Sequence, residues 1–352
     1  MASGPTCSGL RRRMPVLGRI VDSATRRTDS DTTSIVKQLA AILMLVVAAS
    51  SVFAQPGSRR RPWTPEQAQS ILDRTARTRL APDLSHLTAG ERQAVAKLLD
   101  VGQIFQSLYE QQRHRDAVAA RTALERARDV NSRNLLTLYR LFQGPIATTL
   151  DNRREPFLSV DEAPPGKNVY PWDLTGQEFE TFLTANPGER RALTHLRSVV
   201  RRAEPANLAR DLAALARHPS IDTLHPGLEG KLTALTRAPN RRVLYAVPYS
   251  VAYADEMIKA HALLHEAAAA VESDDQDLAR YLRNRARDLL TDDYEAADAS
   301  WITGRFKRLN AQIGAYETYD DELTGTRAFY SLSLLAVRTE ESAALRKALQ
   351  GV

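Results

Sequence analysis

Apolar positions recur at three-to-four spacing over much of the chain, and this helical period sets the first expectations. From Thr64 to about Arg128 the pattern is helical. Ala94, Leu98 and Val101, then Phe105, Leu108 and Tyr109, mark one face. Thr88-Ala89-Gly90-Glu91 has the form of a capping box at the start of that run. Gly144 to Pro171 is rich in turn residues and predicts a surface or cleft-side loop. Thr175 predicts a helix start, with Glu178 at its third position and Phe179 and Phe182 turned inward, and residues 188–217 read as Arg/Ala/Leu-rich helix.

The period changes at Arg242 to Tyr249, a short β-branched and aromatic run that predicts a strand. Amphipathic helices follow over Val251–Glu272 and Asp275–Leu290, and a third begins at Asp292-Asp293. Ala311, Ile313 and Ala315 then alternate. Phe329 to Val337 fits a second strand or a buried helix, and Thr339 to Gln350 closes as a helix. The fold class expected is mainly α with a small β component (α+β), the sheet lying in the second half. The organisation expected is a leader over 1–54, a linker over 55–65, a helical region over 66–240 with its loop at 144–171, and a strand-helix-helix-strand region over 241–352.

The leader is read from a different pattern. Leu39 to Val52 is an uncharged, mostly apolar run behind Lys37, and it ends on Val52-Phe53-Ala54. A basic flank, a short apolar core and small residues at −3 and −1 predict a secretory signal cleaved after Ala54, hence a secreted or periplasmic protein with no stable membrane anchor after cleavage. Cys7 is the only cysteine and precedes that site, so neither a disulfide nor thiolate chemistry is expected beyond it.

Composition adds an exclusion. Of 352 residues 43% are hydrophobic and 26% charged, the balance of a globular chain. The net charge of +6 would invite a nucleic-acid partner, but most of it falls in residues 1–54 and the remainder is close to neutral. A nucleic-acid binder needs its basic stripe on the folded body, so no nucleic acid is expected as a partner.

Three clusters could carry chemistry. His261 and His265 share a helix face at i and i+4, but Ala262 stands where a zinc peptidase helix needs its glutamate base, and His265-Glu266 is followed by alanines. An ordinary amphipathic helix explains the pair. Asp292, Asp293, Glu295 and Asp298 gather carboxylates, with Tyr294, Asp298 and Trp301 on one predicted face; helix capping and a solvated face are the plainer explanation. Glu317, Asp320, Asp321 and Glu322, with Tyr319, form an acidic rim after a strand-like run, which could grip an amino group or simply make a turn.

Four stretches together resemble the bacterial branch of the dipeptidyl-peptidase-III family of zinc peptidases. They are Pro164 to Thr175 (PPGKNVYPWDLT), Ala246 to Ser250 (AVPYS), Leu289 to Asp298 (LLTDDYEAAD) with Trp301, and Ile313 to Leu323 (IGAYETYDDEL). The resemblance implies part of a two-lobed, mostly helical metallopeptidase fold and a peptide substrate. Glu317 and Tyr319 are the substrate-binding residues it carries over, while Asn310-Ala311-Gln312 stand where dipeptidyl-releasing members have Glu-Ser-Tyr, so the amine-anchoring carboxylate of that motif is missing. It also implies zinc held by an H-E-x-x-x-H helix, and that motif is absent from this sequence, so neither catalytic nor metal-ligating residues are assigned. Two expectations follow: the N-terminal half of an exported zinc hydrolase, inactive as it stands and completed by a C-terminal half or partner chain, or a non-catalytic exported peptide-binding or interaction module.

Overall fold

In the computed structural model, residues 61–350 are described. The expected signal sequence, Cys7 and Gly351 lie outside them. The first helix, α1 (Pro65–Leu72), starts at once: the Thr64 hydroxyl accepts from the Gln67 N–H and Gln67 reaches back to the Thr64 N–H. The same reciprocal cap, Thr88 with Glu91, opens the long helix α2 (Ala89–Arg113). Helices α3 (Ala117–Arg126) and α4 (Val130–Phe142) follow, so the 64–128 stretch is several helices separated by turns.

The expected loop at 144–171 contains a short antiparallel hairpin, β1 (Ile146–Thr148) with β2 (Arg154–Pro156), so strand also occurs in the first half of the chain. Helix α5 (Gly176–Ala185) is capped by Thr175 as expected. The continuous helix expected over 188–217 is not formed. A one-turn helix α6 (Arg190–Leu193) gives way to strand β3 (Ser198–Ala203) before α7 (Pro205–Arg217) begins. The β-branched pair Val199-Val200 favours extended backbone, and Pro205 fits a helix only in its first turn, which ends the strand there. Ser198-Val-Val was hidden between two arginine-rich segments that do have helical period.

Short helices α8 (Pro219–Leu224) and α9 (Leu228–Thr236) lead into β4 (Asn240–Pro248), which pairs antiparallel with β3 from Ser198↔Pro248 onward. The pairing joins the two regions that the sequence divides at 240. Beyond α10 (Tyr249–Ala252) come α11 (Ala254–Val271), α12 (Gln276–Thr291) and α13 (Glu295–Thr303). The chain then forms β5 (Leu309–Glu317) and β6 (Phe329–Ala336), an antiparallel pair, before α14 (Thr339–Leu349). Of the Phe329–Val337 stretch, Phe329–Ala336 is thus strand, since β5 offers it an edge from Leu309↔Ala336 to Glu317↔Phe329.

One hydrophobic core unites α2, α11 and α12 with β5 and β6. Leu98, Val101 and Phe105 of α2 pack with Leu264 of α11, Leu282 of α12 and Ile313 of β5, all but excluded from water. At about 25 cal/mol per Å² of apolar area removed from water, each such large side chain contributes about 1.5–3 kcal/mol. The protein is mainly α with a small β component of two-stranded sheets among the described residues. No helix among them is long and apolar enough to cross a membrane.

Candidate peptide-binding site

Strand β5 delivers the acidic rim, and its last residues are re-aimed by a bulge. The register slips between Ala315, opposite Tyr330, and Glu317, opposite Phe329. An extra residue in one strand bends it and turns the following side chains. Gly314 makes the approach possible: its φ is +146°, and a Cβ there would lie 2.5 Å from the Tyr294 ring.

Beyond the bulge, Thr318–Asp320 make one turn of 3₁₀ helix, and the four carboxylates part company. Asp320 is buried, accepts a 2.7 Å hydrogen bond from the Tyr109 hydroxyl and lies 3.5 Å from Arg113. Burial raises the Tyr109 phenol, and its bond to Asp320 adds to that, so it remains a donor. Asp321 is the hub of the 321–327 loop. Its oxygens accept from the N–H groups of Leu323, Thr324, Thr326 and Arg327, and from the Thr324 and Tyr170 hydroxyls. Burial opposes its charge, yet the Arg327, Thr324 and Thr326 donors together hold its pKa below the usual carboxylate value. Glu322 pairs with Lys167 at 2.9 Å and Arg154 at 2.6 Å.

Glu317 lines a groove and pairs with no cation among the described residues. It receives a 3.1 Å hydrogen bond from the Ser331 hydroxyl of β6, and Tyr319 projects beside it with 72% of its surface exposed. Gln106 and Tyr109 of α2, with Tyr330 and Ser331 of β6, complete the wall. Burial raises the Tyr319 phenol, as do the charges of Glu317 and Asp320. One carboxylate among aromatic faces suits a cationic group: the carboxylate supplies charge and acceptors, and the rings supply apolar contact and a negative π-face. The sequence pointed to Glu317 and Tyr319 but not to Gln106, Tyr109 or Ser331. In the helical period Tyr109 is an apolar position, and only the fold brings its phenol to Asp320.

The other clusters resolve differently. The rings of His261 and His265 lie 4.6 Å apart, and burial, then the neighbouring His265, lowers the His261 pKa. Glu266 is taken by Lys97 at 2.5 Å. Among the described residues no three His, Cys, Asp or Glu side chains converge, so the residues present do not fit a zinc site. The 292–298 carboxylates do not form a facing pair. Asp292 is buried against Ser250, Asp293 accepts from the Glu295 N–H, and Asp298 holds Arg285 at 2.5 Å. Tyr294 is buried under β5, whereas Trp301 is exposed with its indole N–H 2.9 Å from Asn310 Oδ1, so the expected Tyr294/Asp298/Trp301 face is not one surface.

The chain as a whole has relatives. No family model matches the chain. Nudix hydrolase 3 of Arabidopsis thaliana is 30% identical over 184 residues, covering 51% of this chain and 21% of that protein. The solved structure of DPP III from Caldithrix abyssi superposes with a TM-score of 0.65 at 25% identity, covering 79% of this chain and 45% of the other. Dipeptidyl-peptidase III from Corallococcus sp. strain EGB gives 0.65 at 24% identity, with 82% and 46% covered. The fold is therefore that of a peptidase-like class, and the chain is dipeptidyl-peptidase-III-like. It spans less than half the length of those solved structures and about a fifth of the Arabidopsis protein.

Proposed function

We propose that the chain is an exported portion of a dipeptidyl-peptidase-III-like hydrolase that holds the free amino end of a peptide in the groove beside Glu317. The observation that carries this reading is that Glu317 lines a groove with Tyr109, Tyr319 and Tyr330 and pairs with no cation among the described residues, whereas Asp320, Asp321 and Glu322 are engaged by their neighbours. Likeness to the solved peptidases supports a peptide as ligand. An ammonium group would meet the Glu317 carboxylate, with the Tyr319 ring alongside.

Peptide hydrolysis in this reading requires zinc chemistry for which this sequence offers no H-E-x-x-x-H motif. The chain thus binds without cleaving, and a C-terminal half or partner chain supplies the reaction. The placement in the periplasm or outside the cell rests on the apolar run ending at Ala54.

Calorimetric titration with tetra-alanine and its N-acetylated form tests the binding claim. Preference for the free amine is the expected result, and equal affinity for both peptides would refute it.

A further inference from the structure

A separate groove of about 370 Å³ is lined by β3, by the first turns of α7 and by the 168–173 segment ahead of α5. That volume suits a small molecule. Neither Glu317 nor Tyr319 belongs to it. Its lining carries four arginines, Arg201, Arg202, Arg210 and Arg241, and two carboxylates, Asp173 and Glu204.

The four arginines are not equally matched. Arg202 donates to Glu178 from Nη1 at 2.7 Å and Nη2 at 3.0 Å, and to Asp173 from Nε at 3.1 Å. Arg241 donates to the same Asp173 and, from Nε at 3.1 Å, to Glu204. Three carboxylates thus answer these two guanidinium groups. Arg201 and Arg210 have one carboxylate between them. Arg201 Nη1 pairs with Asp211 Oδ1, and Arg210 Nε lies 3.7 Å from that same oxygen. The other oxygen of buried Asp211 accepts from the Tyr245 hydroxyl at 2.8 Å. Among the described residues no second carboxylate comes within 4 Å of either arginine, so the pair holds one positive charge more than its partner balances.

Both groups keep donors in reserve. The Arg201 side chain is 12% exposed. Of its guanidinium nitrogens Nη1 alone is sealed from water, and neither Nε nor Nη2 has a hydrogen-bond partner among the described residues. Arg210 is more open, and its Nη2 donates to Asn207 Oδ1 at 2.9 Å, which leaves Nη1 without a partner. Asn207 also lines the groove and is itself tied down, its Nδ2 donating to the Arg202 carbonyl at 3.0 Å. Arg210 is therefore held on the groove wall. Burial, and next the charge of Arg210, pull the Arg201 pKa down to about 10, so Arg201 is still cationic at neutral pH.

An anion would relieve the repulsion between the two groups, and the N–H fork of a guanidinium matches the two oxygens of a carboxylate. A surplus of one charge suits a monoanion. Tyr253, whose phenol acts on Arg201, and Trp172 give the groove aromatic surface. We propose that this groove binds a small aromatic acid, with its carboxylate held between Arg201 and Arg210.

The probes are benzoate and benzamide, alike in shape and different in charge, titrated calorimetrically into the purified chain at low ionic strength. Benzoate binds tighter by about tenfold or more, the scale of a charge-assisted contact. Arg210→Ala keeps the Arg201–Asp211 pair, brings the local charge to balance and lowers benzoate affinity by a similar factor. Arg242→Ala removes an exposed arginine outside the lining, makes the same change in net charge and leaves the affinity unaltered. Phenyl phosphate, which brings a second charge, binds no tighter than benzoate; tighter binding would assign the groove to phosphate monoesters instead. Equal affinity for benzoate and benzamide, full affinity in Arg210→Ala, or an equal loss in Arg242→Ala each overturns the proposal.

Discussion

The Tyr109 hydroxyl donates a 2.7 Å hydrogen bond to Asp320 Oδ2 across 211 residues of chain, tying α2 to the turn that presents Tyr319. Asp320 is buried, and Arg113 at 3.5 Å, itself 5.2 Å from the Tyr109 ring centre, is its cationic neighbour. Tyr109→Phe keeps the ring and removes only the donor. It should cost about 1.5–3 kcal/mol, the range for a hydrogen bond to a charged group. Urea denaturation reads that loss, and tetra-alanine binding should weaken with it because the 318–320 turn is no longer anchored.

Asp321 and Asp292 should impose opposite pH dependences on stability. The folded-state pKa of Asp321 lies below its ordinary value of 3.8, so its contribution is complete above that pH and is lost as acid takes the pH down through the folded value. Asp292 is raised to about 7, so its contribution is complete below 3.8 and is lost as pH rises through about 7. Denaturation midpoints from pH 3 to pH 8 should therefore rise and then decline. Asp292→Asn should remove the decline near neutrality while sparing the acid limb.

Gly314→Ala should damage the protein more than its size implies. The new methyl would meet the Tyr294 ring, and alanine is strained at a φ of +146°. A loss of about 1–3 kcal/mol from strain alone is expected, with the clash adding to it. Thermal unfolding of this variant beside a control such as Gly188→Ala, whose Cβ would meet nothing within 4 Å, isolates the effect.

Purified chain should carry well under one zinc per molecule after equilibration with a slight excess of the metal and desalting. His261 and His265 offer two nitrogens on one helix, and among the described residues no third ligand joins them. Elemental analysis checks this. One equivalent that disappears in His261→Ala would show a site that the geometry does not support.

The helices were legible where period and capping agreed, as at Thr88–Glu91 and Thr175–Glu178, because both signals are local. Strand β3 was not, because Ser198-Val-Val-Arg-Arg-Ala is set by its pairing with β4, some fifty residues on. The same limit governs the site. Glu317 and Tyr319 could be named from a motif, but separating Glu317 from Asp320, Asp321 and Glu322 required the partners that consume the other three: Tyr109, the 323–327 backbone, and Lys167. None of these is near in sequence except the loop itself.

The most direct test of the peptide-binding claim is a four-way comparison: tetra-alanine and N-acetyl-tetra-alanine, each titrated into wild-type chain and Glu317→Gln. A charge-assisted contact between the peptide ammonium and Glu317 predicts about 1.5–3 kcal/mol of coupling, a tenfold or larger loss seen only for the free amine. Wild-type chain that binds both peptides equally, or a Glu317→Gln variant that weakens both alike, would contradict the account.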